Sequence, residues 1–424
     1  QEPPTGAEPH GFTLPSIESY ELRNGVKVTL VPYGRAPKVA IRAVVRVGNL
    51  NDGATPWIAD LTAEMMGEGA AGKPASELAL DAARMGGNLN IGVGLDETFV
   101  TMDVLSESAR DAIGLIADVV QRPDFPESEF DRIKQNLLRN ISVASTQPQT
   151  IAQNAFMKSI YPGHPYSNAV LPDAKAFAAL TMDQVRSFHS ENFGGARTHI
   201  IIVGQFNRRQ VRRAINNAFR EWEEGPSPLK LTPSMPDEPQ VQLINRSGAV
   251  QSTIRLGKRV APLDETVDLE AADTVLGGYF SSRITRNIRE DKGYTYSPNS
   301  AVSVEYNAAY WRQNADVTSE ATGPALTEII KEIRGLQEAP PPEDELTGVK
   351  NYMNGVFVIR LASRGGMAGQ LAFVNLHELG VEYLENYVAN VHALSAGDVQ
   401  NAAVTYLPVE DMSLTVVGDL ESVI

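Results

Sequence analysis

The sequence predicts an α+β protein of two homologous halves, each a sheet with helices packed mainly on one face, the halves joined by a proline-rich linker. Three observations carry this. First, segments recur at a nearly constant offset. Leu180-Thr181-Met182-Asp183-Gln184-Val185 returns as Leu394-Ser395-Ala396-Gly397-Asp398-Val399, 214 residues on, and His199–Phe206 returns as Ser413–Leu420 at the same offset. Pro126-Glu127 with Ile133-Lys134-Gln135-Asn136 echoes Pro342-Glu343 with Val349-Lys350-Asn351-Tyr352 at 216, and Ala59-Asp60 echoes Ala272-Asp273 at 213. Several matches at about half the chain length of 424 residues mean an internal duplication. Second, five prolines fall within Glu223–Gln240, and proline neither donates to a ladder nor continues a helix, so this stretch is an extended linker. The domains are therefore 1–222 and 241–424, with 223–240 between them. Third, each half mixes strand and helix periodicities.

Taken in order, Val26–Leu30 and Val39–Val47 are rich in β-branched residues and Glu97–Met102 alternates, so each is a strand. Thr55-Pro56 predicts a helix start, with Thr55 as N-cap and Pro56 at the first helical position, followed by Ile58, Leu61 and Met65 at helical spacing. Ser108–Val120 and Phe130–Ile141 are amphipathic, and Asp183–His189 opens another helix. Strands come as neighbouring pairs rather than strictly alternating with helices, which selects α+β. In the second half Ile284 and Ile288 stripe a helix that Gly293 ends, placing Arg289 in its last turn and Tyr296 at the start of the next strand; Pro298 makes that strand an edge or a bulge. Gly365, Gly366 and Gly369 occupy the repeat position of Thr146–Gln153 and predict a flexible connector between helices. Phe130 and Phe156, at helical positions, are expected in the core.

Composition excludes several functions. With 42% hydrophobic and 21% charged residues the chain is ordinary globular protein. A net charge of −15 opposes binding to nucleic acid or anionic lipid. No apolar run nears the roughly 18 residues that a membrane span requires. The absence of cysteine removes disulfides, thiolate metal sites and cysteine nucleophiles. Together with the polar, proline-rich opening Gln1–Pro9, it favours export to a compartment such as the periplasm over the cytoplasm.

The familiar catalytic templates are missing: no G-x-S-x-G elbow, Walker A loop, G-x-G-x-x-G or H-E-x-x-H occurs. None of the six histidines (His10, His164, His189, His199, His377, His392) has another within five residues, so no local zinc helix exists. His189 and His199, the nearest pair, are read as surface or strand-end residues.

Leu22-Arg23-Asn24-Gly25-Val26-Lys27-Val28, Met85-Gly86-Gly87-Asn88-Leu89-Asn90, His164-Pro165-Tyr166, Gly277–Arg283 and Arg289–Tyr296 occur in the order of the insulinase-like, or pitrilysin-like, metallopeptidases with the inverted zinc motif, which the whole chain resembles. The resemblance implies that H-x-x-E-H belongs on the first helix, its histidines and a downstream Glu binding zinc and its own Glu activating water. Here Asp60 and Glu64 stand for the histidines, Ala63 for the base, and Phe130–Leu137 offers no Glu. No metal is then expected on this chain, and Asp60 and Glu64 are read as solvated or hydrogen-bonded carboxylates of a vestigial site.

The resemblance further assigns Arg289 to the peptide's carbonyl or carboxylate and Tyr296 to the oxyanion of the tetrahedral intermediate, seven residues apart as in the family. It implies a non-catalytic subunit of a bacterial two-chain peptidase, inactive alone and binding no cofactor. Its partner would be a homologous subunit that holds the zinc and receives Arg289 and Tyr296. The substrate would be an unfolded peptide added to a sheet edge. The alternative implied is a catalytically silent scaffold of the same fold.

Overall fold

The computed structural model describes residues 13–261 and 267–423, so the Gln1–Pro9 opening and His10 lie outside the described residues. The first half supplies strands β1 (Glu18–Glu21), β2 (Lys27–Pro32), β3 (Lys38–Val45), β6 (Asn90–Val93), β7 (Thr98–Leu105) and β8 (Thr198–Gly204) to one sheet; β4 (Gly69–Ala70) and β5 (Lys73–Pro74) form a separate small hairpin. Its helices are α1 (Ile58–Gly67), α2 (Ala75–Arg84), α3 (Ala109–Gln121), α4 (Glu127–Ala144), α5 (Pro148–Ile160), α6 (Ala174–Ala178), α7 (Met182–Asn192) and α8 (Arg208–Phe219). The second half supplies β9 (Val241–Asn245), β10 (Gln251–Val260), β11 (Asn299–Glu305), β12 (Ala308–Thr318) and β13 (Ser413–Gly418). Its helices are α9 (Asp268–Asp273), α10 (Arg283–Thr285), α11 (Thr322–Glu338), α12 (Glu343–Leu361), α13 (Arg364–Leu376), α14 (Glu382–Ala393), α15 (Ala396–Tyr406) and α16 (Leu420–Val423).

The duplication is visible in the strand order. The first sheet runs β1-β2-β8-β3-β7-β6, and the second, read from β9, runs β9-β13-β10-β12-β11. Each contains one parallel pair, β2 with β8 and β9 with β13, among antiparallel neighbours. Strand β8 is buried along its whole length, which explains the unbroken apolar run His199–Val203: a central strand covered on both faces has no polar side to alternate with. Between the halves, residues 223–240 contain no helix or strand, in keeping with their proline content.

One face of each sheet carries that half's own helices. In the first half Ile41, Val45, Val100, Met102, Ile200 and Ile202 pack with Leu61 and Met65 of α1 and Ile113 and Ile116 of α3. The opposite faces are covered by exchange. Val31, Val44, Ile201 and Val203 of the first sheet pack with Met367, Leu371 and Val374 of α13, a helix of the second half. Reciprocally, α5 of the first half lies on β10 and β13 of the second sheet, with Phe156 tilted against Tyr310 at 6.0 Å. At roughly 1.5–3 kcal/mol for each fully buried aliphatic side chain, this exchange binds the halves into one unit.

Two local expectations are corrected here. The stretch Gly365–Gly369 is not a connector but the first turns of α13, and Ser363 caps it by accepting from the Gly366 amide at 2.9 Å. Glycine is needed because a Cβ at position 366 would come within 1.8 Å of the Arg360 carbonyl oxygen where α12 turns into α13. The first helix begins at Ile58, not at Thr55-Pro56. Trp57 precedes it in the left-handed region at φ 63°, and the Asp52 carboxylate caps it, accepting from the Trp57 amide at 2.8 Å and the Ala59 amide at 3.0 Å. Thr55 donates instead to the Asp52 carbonyl at 2.6 Å.

Candidate functional site

Helix α1 places Asp60 and Glu64 one turn apart on a face that lines a cavity of about 440 Å³, with Ala63 between them. The edge strand β6 forms another wall through Ile91, Gly92 and Val93, and the residue that α4 presents there is Leu137. Asn49 donates to Asp60 at 2.6 Å and to the capping Asp52 at 3.2 Å, tying the carboxylate to the helix start. Burial pushes the Asp60 carboxyl up to about 6, with the Glu64 charge adding to the shift and the Asn49 hydrogen bond opposing it. Burial likewise raises Asp52 to about 7 against the amide hydrogen bonds it accepts.

The donor set does not fit a hydrolytic zinc centre. Such a centre takes three protein ligands, mostly nitrogen, beside an activated water. The cavity offers two carboxylates, a methyl group at the base position and a leucine on the facing helix. Among the described residues no group of three His, Cys, Asp or Glu side chains is arranged to hold a metal ion.

Arg289 and Tyr296 stand elsewhere; neither lines the Asp60–Glu64 cavity. Arg289 lies in a π-helical turn, Arg286–Asp291, anchored by the buried Ile284 and Ile288, and Gly293 ends it at φ 67°. Beneath it the Asn287 amide donates to Glu328 at 2.9 Å and Glu332 at 2.6 Å. The Arg289 guanidinium lies 4.2 Å from the Phe280 ring centroid and 5.1 Å from that of Tyr296. Both rings face solvent, Phe280 64% exposed and Tyr296 81% exposed. Tyr296 is not in a strand as expected. Thr295 bridges to Val317, Tyr296 follows in a bend, and β11 starts only at Asn299; β11 is an edge strand, as Pro298 implied.

Two solvent-facing aromatics lie within cation–π distance of a half-buried guanidinium that has no hydrogen bond or ion pair among the described residues, an arrangement that suits oxygen-rich or extended ligands. Phe280 was missed at the sequence level although it lies inside the quoted Gly277–Arg283 stretch; only its exposure and its closeness to the Arg289 guanidinium mark it out. Of the surface or strand-end reading, the strand-end placement holds for His199, the second residue of β8, while His189 lies in α7 and both rings are buried rather than at the surface. A ring nitrogen of His189 pairs with the Val120 carbonyl and one of His199 with the Thr29 hydroxyl, each at 2.9 Å. Phe156 is fully buried, and Phe130, half-buried, packs against the core of the first half with the Lys134 ammonium 4.9 Å from its ring centroid. Among the described residues no helix is long and apolar enough to cross a membrane.

Comparison with known proteins identifies the fold and the family. Residues 28–174 match the model of the insulinase family, peptidase family M16, and residues 179–353 match that of the peptidase M16 inactive domain. An uncharacterized zinc protease of Rickettsia felis is 24% identical over 404 residues, covering 90% of this chain and 93% of that protein. The non-peptidase homolog YmxG of Helicobacter pylori is 19% identical over 381 residues, 88% and 87% of the two chains. Among solved structures, a peptidase M16 inactive domain from Pseudomonas fluorescens superposes with a TM-score of 0.88 at 24% identity, covering 95% of this chain and 98% of its own. A protease from Helicobacter pylori gives 0.89 at 20% identity, covering 96% and 100%. The two matched segments take in all of 28–353 except 175–178, and the chain belongs to the insulinase family, peptidase family M16.

Proposed function

We propose that this chain is the non-catalytic subunit of a two-chain zinc peptidase, lending Arg289 and Tyr296 to the zinc site of a homologous partner. The observation that carries it is the contrast between the two sites. The Asp60–Glu64 cavity has no donor set for zinc, while Arg289, half-buried beside the exposed Phe280 and Tyr296 rings, has no ion-pair partner among the described residues. Arg289 would fork onto a peptide carbonyl or carboxylate, and the Tyr296 hydroxyl would donate to the oxygen that gains charge during hydrolysis. The substrate would be an unfolded peptide, and export, which the cysteine-free composition favours, belongs to the same proposal.

The test is reconstitution with a family member that carries an intact zinc motif, followed by cleavage of a quenched fluorescent peptide. Each chain alone should be inactive and the mixture active. Tyr296→Phe should lower kcat of the mixture by roughly 10²–10³ with assembly unchanged, the cost of one oxyanion donor. Full activity of the partner alone, or a wild-type rate with Tyr296→Phe, would reject this reading. The silent-scaffold reading, favoured by the match of 179–353 to an inactive domain, would then stand.

A further inference from the structure

The second half contains its own counterpart of the Asp60–Glu64 cavity, a cleft of about 410 Å³ between α9, the edge strand β11 and α12. Asp273, the repeat partner of Asp60, lies in its wall, but its Oδ1 is already committed, accepting from Ser300 at 2.5 Å and from the Trp311 indole at 2.7 Å. What distinguishes the two cavities is their lining. The first has no aromatic residue, whereas the second has Tyr352, Phe357, Phe373, Tyr383 and Tyr387. The last two come from α14, twelve residues long where the first half has only the five-residue α6 between corresponding helices. Phe357 stacks on Tyr387 at 4.3 Å, and Tyr383 meets Phe373 at 6.2 Å and Tyr387 at 6.5 Å, so the rings form one continuous wall.

A carboxyl group and a guanidinium share this space. Glu270 of α9 accepts from the Tyr387 hydroxyl, and burial pushes its carboxyl above the usual range. Arg360, in the last turn of α12, also lines the cleft; its charge is felt at Glu270, yet the two form no ion pair. A carboxyl group and a guanidinium held apart beside an aromatic wall complement a small molecule with an ammonium, a carboxylate and an apolar body between them. The volume is of the size that encloses a small ligand.

We infer that this cleft binds a zwitterionic amino acid or dipeptide, with Glu270 taking the ammonium, Arg360 the carboxylate and the α12–α14 rings the apolar side chain. The site is independent of the shared-zinc reading, since it needs neither Arg289 nor a partner chain. Short zwitterions of this kind are what peptide hydrolysis releases.

The probe is the dipeptide phenylalanyl-glycine, titrated calorimetrically into the purified full chain beside its N-acetyl and C-amide forms. Saturable one-to-one binding is expected, weakened roughly tenfold by either blocking group, the equivalent of one lost charge-assisted contact. Glu270→Gln should weaken the free dipeptide and abolish the added effect of N-acetylation; Arg360→Gln should do the same for C-amidation. Arg360 is exposed at a helix end, and the blocked peptides need no variant, so the test survives a failure of Glu270→Gln to fold. No saturable binding at millimolar dipeptide, or binding indifferent to both blocking groups and to Arg360→Gln, overturns the inference.

Discussion

The Arg289 guanidinium lies 4.2 Å from the centroid of the Phe280 ring, closer than to Tyr296, so the cation is shelved on a residue of the preceding loop rather than on its own helix. That loop is itself fixed, because Arg283, three residues beyond Phe280, donates to both carboxylate oxygens of Glu345 on α12, at 2.9 and 2.5 Å.

Removing the shelf should therefore change ligand binding rather than folding. Phe280→Ala is expected to leave the urea midpoint of the chain unchanged, because the ring is 64% exposed. In the reconstituted peptidase it should raise KM about two- to fivefold, the equivalent of a cation–π contact of about 0.5–1 kcal/mol at an exposed site. Phe280→Tyr should restore the wild-type KM. Unchanged kinetics in Phe280→Ala would show that Arg289 needs no support from this ring.

A second contact governs the union of the halves. Arg364, the first residue of the exchanged helix α13, donates to both oxygens of Asp103 on β7, each at 2.9 Å. Arg364→Met keeps the stem and removes the fork. Solvent screens the partly exposed Asp103, so the loss should be about 1 kcal/mol or less. The Arg364 hydrogen bonds, with Lys38 adding to them, hold the Asp103 carboxyl below its ordinary value. Stability from a depressed carboxyl is present above its unfolded pKa and lost as pH falls through the folded one. The wild type and Arg364→Met should therefore converge on acidification below about pH 4. Denaturant melts at neutral and acidic pH check this; a difference that persists in acid would locate the effect in packing.

The opposite sign applies at Glu305, which accepts from Tyr161 at 3.1 Å where the two halves meet. Burial pushes its carboxyl up to about 8. A raised acid contributes stability that is complete below its unfolded pKa and lost as pH rises through the folded one. Folding should weaken from about pH 5 to about pH 8 and level off above that. Glu305→Gln keeps an acceptor oxygen and cannot ionise, so it should lose less stability than the parent over this range. Parallel stability profiles for the two proteins would mean that Glu305 titrates normally.

The duplication was legible in the sequence because repeated helix caps and strand runs keep their spacing, as Thr181 and Ser395 show by capping α7 and α15 in the same way. The exchange of α5 and α13 was not legible. An amphipathic helix declares that one face is buried, not which sheet buries it, and the glycines of α13 read locally as a connector. At the candidate site, substitution by alignment located Asp60, Ala63 and Glu64, which the structure places in one cavity wall. Phe280 and the α14 tyrosines were invisible because an aromatic residue at one position looks alike in a core, on a shelf or in a cleft wall.

The start of α1 shows the same difference between local pattern and tertiary geometry, and it can be measured. Thr55-Pro56 matches a standard helix start, but the left-handed Trp57 intervenes, and the donors at the true N-terminus turn to Asp52. Asp52→Ala removes the acceptor of the Trp57 and Ala59 amides and of the Asn49 side chain, leaving buried donors unpaired. Losing such a cap costs about 1–2 kcal/mol. Thr55→Ala removes one hydroxyl that donates to a carbonyl and should cost less, about 0.5–1 kcal/mol, the net value of an ordinary hydrogen bond. Because Asn49 also holds Asp60, the Asp52→Ala change should loosen the cavity wall, seen as faster amide exchange at the start of α1 than in Thr55→Ala. Urea denaturation of the two variants orders the effects, and an equal or larger loss at Thr55 would return the cap to that threonine.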